Sequence, residues 1–143
     1  MKHQTFYLQM TIKNILKDKT LSFSVAVIYS LAILILSLIN LESSPIKIET
    51  SDKVYHFVSY TLMAIFWLWF LKTTRNKTSY TSVSLIILSI IVYGIIIEYL
   101  QLNLTNYRMF DWNDVKANVF GTIFGYLIFF IASRILFSYK FDN

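Results

Sequence analysis

Glu98, Gln101, Arg108, Asp111, Asp114 and Asn118 crowd the gap between the last two apolar runs of this chain, and Asp52, Lys53 and His56 open an earlier run. Carboxylates and an imidazole can move protons near neutral pH, and the planar fork of an arginine grips carboxylate or phosphate oxygens. Helical rise places Glu98 and Gln101 on one face, Asp114, Asn118 and Gly121 on another, and Asp52, His56, Tyr60 and Met63 on a third. The spacing therefore aims polar groups from three segments at one end of whatever the apolar runs build.

Glu98 is the most costly of these residues. Insertion scales charge about 2.5–3.5 kcal/mol for an acidic group at mid-membrane and less toward the edge, so a partner is expected. Arg108 is the first candidate, Lys53 or a protonated His56 the second, and uptake of a proton by Glu98 itself the third. His56 has three readings: a buried histidine satisfied by a hydrogen bond, a general base, or a metal ligand together with Glu98 and Asp114. No recognised metal motif accompanies it, so no metal and no cofactor is assigned. Glu98, His56 and Asp114 are the catalytic candidates, and Lys53, Gln101, Arg108, Asp111 and Asn118 the candidates for binding a substrate. No serine nucleophile elbow, phosphate-cradling glycine loop or zinc-protease helix is present, so catalysis itself stays open.

The elements that must carry these residues are membrane spans. Of 143 residues 56% are hydrophobic and 15% charged, with the charges largely excluded from four long apolar runs. Windows of roughly 20 residues, the length that crosses about 30 Å, fall near 21–41, 54–71, 81–102 and 115–137. The fold class is all-α: a polytopic membrane protein with four transmembrane helices in a small bundle. The first run is longer than the apolar part of a secretory signal and lacks a small-residue cleavage site, so it reads as a retained span. Residues 1–20 form a tail, with Leu8, Ile12, Ile15 and Leu16 at helical spacing, that is either amphipathic or frayed. Residues 21–143 form one membrane domain.

The net charge of +5 is a topology signal rather than a nucleic-acid footprint. In a four-span arrangement Lys2, Lys13, Lys17, Lys19, Lys72, Arg75, Lys77, Arg134 and Lys140 share one side, against Lys47, Lys53, Arg108 and Lys116 on the other. Both termini are then cytoplasmic, and the polar set is extracytoplasmic. The expected partners are the lipid bilayer, a lipid-linked envelope molecule or other membrane proteins, and no nucleic acid. Cysteine is absent, which removes thiol chemistry.

Smaller features complete the reading. Pro45 with Ser43 and Ser44 suits an extended connection, and Ser51-Asp52 suits a helix start. Trp67 and Trp69 read as an aromatic belt at the inner end of the second span. Tyr107, Phe110 and Trp112 read as interfacial anchors or as one wall of a groove. Gly94 reads as a point of close helix contact or of a slight bend, and the Gly121/Gly125 pair as one of close helix packing, with Asn118 reaching a neighbouring helix.

The set Asp52-Lys53-x-x-His56-Phe57-x-x-Tyr60, Glu98-x-x-Gln101 and Arg108-x-x-Asp111-x-x-Asp114-x-x-x-Asn118-x-x-Gly121-x-x-x-Gly125 resembles the VanZ-like family of small bacterial membrane proteins, over roughly residues 50–130. The resemblance implies a multi-pass protein of the bacterial cytoplasmic membrane. The family's named member is associated with low-level resistance to the glycopeptide teicoplanin, and no reaction comes over with the motif. Three functions follow as expectations. The first is a site that binds or modifies an amphiphilic envelope molecule, such as a lipid-linked wall intermediate or a lipoglycopeptide. The second is a scaffold whose polar residues form a structural network, and the third, solute transport, lacks a polar stripe through the cytoplasmic half.

Overall fold

A computed structural model describes residues 14, 17–39, 52–75, 79–106 and 108–138. The amphipathic segment read before residue 17, the connection around Pro45, the capping role of Ser51 and the ring of Tyr107 lie outside the described residues. Four helices follow one another: α1 Lys19–Leu38, α2 Asp52–Thr74, α3 Tyr80–Leu104 and α4 Trp112–Ser138. Each is long and apolar enough to cross a membrane.

The helix ends follow local chemistry. Asp18 caps α1 by accepting the amides of Thr20 and Leu21 at 2.9 and 3.0 Å, and Ser79 caps α3 by accepting that of Ser82. Asp111 starts α4: its carboxylate accepts the Asn113 amide at 2.8 Å, and its carbonyl accepts those of Asp114 and Val115. Asp52 and Asp114 lie in the first turns of α2 and α4, where the helix dipole favours negative charge.

Helix α2 is the hub and packs against all three others. Its tightest seam is with α4, where Gly121 and Gly125 bring the backbones together. A Cβ at Gly121 would run into the carbonyl of Phe57, and one at Gly125 into that of Thr61. The Thr61 hydroxyl crosses the same seam and donates to the Gly121 carbonyl at 3.1 Å. A Cβ at Gly94 of α3 would stand 3.0 Å from the Tyr60 ring and 3.1 Å from the Asn118 amide, closer than ordinary packing contact. Tyr60, Met63, Ala64 and Ile90 form the core, with Tyr29, Ile33, Trp67, Ile86 and Tyr93 packed around it.

Trp67 corrects the aromatic-belt reading. Its indole N–H donates to the Ser30 hydroxyl at 3.1 Å and its ring packs against Phe23 and Phe70, so it is a contact between α1 and α2. Tyr93 donates to the Ser30 carbonyl at 2.6 Å, drawing α3 to the same point. Large apolar side chains such as Ile28, Leu85, Phe120 and Ile131 face outward instead. An apolar exterior around a polar-bearing interior is the arrangement lipid selects.

Candidate functional site

The end of the bundle where α2 and α4 begin and α3 finishes gathers every polar residue singled out above except Gln101 into one cluster with two levels. The floor is buried: Glu98 and Asn118 are at most 1% exposed, Asp114 is 3% and His56 8%. The rim of Asp52, Lys53, Arg108 and Asp111 is about one-third to one-half open to solvent.

On the rim, Lys53 Nζ bridges Asp111 Oδ2 at 2.8 Å and Asp114 Oδ1 at 3.0 Å. It thereby fastens the loop before α4 to the start of α2. Arg108 Nη1 donates to Asp52 Oδ2 at 2.7 Å, with Nη2 at 3.4 Å from Oδ1. The Lys53 ammonium, together with the Asn113 amide, holds the Asp111 carboxyl below the usual aspartate value.

On the floor, His56 is the junction. Its Nδ1 lies 3.0 Å from Asn118 Oδ1 and 3.6 Å from Glu98 Oε1. Its Nε2 faces Asp52 Oδ1 at 4.0 Å and Asp114 Oδ2 at 3.8 Å. The α2 spacing of four residues stacks Asp52 over His56, the α4 spacing of four stacks Asp114 over Asn118, and the Gly121 seam brings the two faces together.

Two expectations change. Arg108, the first-choice partner of Glu98, pairs with Asp52 instead, because it lies on the half-exposed loop while Glu98 sits a level deeper with His56. Gln101 is buried, but its amide donates to the Ser37 carbonyl at 2.9 Å, tying α3 to the end of α1 rather than joining the charges. The Asn118 expectation holds, through its interhelical bond to His56. Asp52, which the sequence places with Lys53 and His56 in the convergent polar set but not among the catalytic or binding candidates, is a full member of the cluster.

Asp52, His56 and Asp114 each present a ligand atom, all within 4.8 Å of one another, and are the described residues that could hold a metal ion. The third member of that set is Asp52 and not Glu98. Both Glu98 oxygens, the Tyr60 hydroxyl, Asn118 Nδ2 and Gln101 Oε1 are buried without a hydrogen-bond partner in the protein. Such atoms are uncommon in a finished interior, and each costs about 1–3 kcal/mol. Chemically, the arrangement offers a base or acid at His56 and Glu98, two rim cations with spare N–H donors, and a half-open mouth.

No curated protein and no solved structure matches the chain. The model of the VanZ/LLP1 family matches it over residues 5–133, which takes in the first three helices, the polar cluster and most of α4.

Proposed function

This chain belongs to the VanZ/LLP1 family, and from that premise we propose that its polar cluster is an extracytoplasmic site that binds the anionic headgroup of an amphiphilic envelope molecule, a lipid-linked wall intermediate or a lipoglycopeptide. The observation that carries the reading is the pair of half-exposed cations, Lys53 and Arg108, at the mouth above a group of unpartnered buried atoms around Glu98, Asn118 and Tyr60. A network built only for stability satisfies its members, since a partly satisfied one is worse than an apolar core. Lys53 and Arg108 stand at the mouth, where phosphate oxygens can share their donors, and Asp111 positions Lys53. The lipid-facing helices keep the ligand's chains in the bilayer. His56, Glu98 and Asp114 are the groups available for proton transfer should the bound molecule also react. The membrane is the bacterial cytoplasmic membrane, with both termini cytoplasmic, as the distribution of lysine and arginine favours.

The test is binding of a polyprenyl pyrophosphate to the purified protein in nanodiscs, against a neutral lipid of equal chain length. Binding to the pyrophosphate alone is expected, and Arg108→Ala or Lys53→Ala should weaken it roughly 10–100-fold, the loss of a charged hydrogen bond of about 1.5–3 kcal/mol. Equal binding of both lipids would refute the reading.

The internal pairing of Arg108 with Asp52 favours a second reading, a scaffold in which the cluster only fixes the bundle. In that case Arg108→Ala lowers membrane abundance, and adding Asp52→Asn restores it. Under the binding reading abundance stays normal and the double variant remains inactive.

A further inference from the structure

The charges of the cluster do not balance. Asp52, Glu98, Asp111 and Asp114 supply four negative charges against two positive ones from Lys53 and Arg108. With a neutral imidazole this leaves an excess of two, or of one if Glu98 holds a proton, in a pocket whose floor is closed to water. Uncompensated charge is not sustained at such a position.

His56 shows where a counter-charge fits. Asn118 Oδ1, which can only accept, faces Nδ1 at 3.0 Å, so Nδ1 carries the proton and Nε2 keeps its lone pair. That lone pair points toward Asp52 Oδ1 at 4.0 Å and Asp114 Oδ2 at 3.8 Å. Three electron-rich atoms thus converge at separations too long for hydrogen bonds, and one cation with bonds of about 2.0–2.2 Å would draw them together by a few tenths of an ångström. The neighbours hold this set in place. Arg108 takes its shorter contact on the other Asp52 oxygen, and Lys53 takes the other Asp114 oxygen. Independently, Glu98 is fully buried, has no side-chain hydrogen-bond partner and sets Oε1 3.6 Å from Nδ1. A carboxylate behind the imidazole of a metal ligand is a recurrent arrangement.

We propose that His56 Nε2, Asp52 Oδ1 and Asp114 Oδ2 bind a divalent transition-metal ion. One imidazole with two carboxylates suits zinc or manganese and is a poor set for calcium or magnesium, which prefer oxygen alone. Three protein ligands leave positions open toward the mouth, where phosphate oxygens can complete the shell. This last step deepens the headgroup reading and rests on it, whereas the ion does not.

The experiment uses the full chain, purified in detergent without a polyhistidine tag, stripped with EDTA, equilibrated with Zn2+ or Mn2+ and desalted. Bound metal is measured by mass spectrometry. One ion per chain is expected, with retention falling to background in Asp114→Asn and His56→Gln. In Asn118→Ala, which frees the ring, affinity should drop roughly 10–100-fold. Circular dichroism and a monodisperse elution profile establish that each variant is folded. Because a misfolded variant would also lose metal, the wild type is melted with and without Zn2+ or Mn2+, and a rise in Tm reversed by EDTA is expected. A folded wild type that takes up neither ion, or uptake unchanged in both ligand variants, overturns the proposal. Metal uptake without pyrophosphate-lipid binding keeps the ion and removes the headgroup reading; lipid binding by a protein that takes up no metal does the opposite.

Discussion

A carboxylate near a membrane surface can be neutralised by several neighbours, and the choice turns on a few ångströms that spacing along a chain does not encode. Arg108 illustrates this: its separation from Glu98 allows a pair, but the guanidinium stays on the wetter level with Asp52 and leaves Glu98 to His56. Lys53 and Asp111 make the clearest case for a titration. Hydrogen bonding to Lys53 lowers the Asp111 carboxyl from its ordinary 3.8. A depressed folded value means that this pair stabilises the loop above the ordinary aspartate value and loses that contribution as pH falls through the folded one. In a titration of aspartate carboxyl carbons by NMR, Asp111 should respond below 3.8, and Lys53→Met should move it upward. An unmoved Asp111 in that variant would mean that the clasp between α2 and the α4 loop is not formed in the membrane.

The helices were more legible than their partners. Four apolar runs mark four spans, although the helices extend past them at several ends: α2 continues through Lys72 to Thr74, and α4 begins at Trp112, because polar residues at the interface still complete backbone hydrogen bonds. The family motif residues outside the loop that carries Arg108 and Asp111 fell on helix faces as spacing requires, so most of the candidate site could be read in advance. What could not be read was which face meets which. Trp67 looked like a lipid anchor because its acceptor, Ser30, lies 37 residues away on another helix. The glycines are the exception, since a small residue repeated every four positions has little purpose other than approach. Gly121→Ala sets a methyl group against the Phe57 carbonyl, which is backbone and cannot rotate aside, while Gly94→Ala meets the side chains of Tyr60 and Asn118. Overpacking of this kind costs about 1–3 kcal/mol. Thermal unfolding in detergent should therefore show a larger loss for Gly121→Ala than for Gly94→Ala. Equal melting of Gly121→Ala and wild type would exclude the α2–α4 seam that brings Asp114 to His56.

At the scale of the whole molecule, the same physics that turns Ile28, Phe120 and Ile131 outward confines the charged cluster to one end. An even number of crossings places that end opposite both termini. Which end faces the cytoplasm follows from a different force, the retention of lysine and arginine on the inner side during insertion. Nine such residues flank the terminal side against four on the cluster side, so the cluster should face outward, where an envelope molecule could reach it. The natural absence of cysteine makes this testable with single introduced thiols. Met109 and Tyr80 are 83% and 89% exposed, the first in the loop beside the cluster and the second at the start of α3, near the opposite end. In intact cells a membrane-impermeant maleimide should label Met109→Cys directly and Tyr80→Cys only after permeabilisation. The reverse pattern would place Lys53 and Arg108 against the cytoplasm; the cluster and its metal chemistry would survive that result, and a binding site for molecules outside the cell would not.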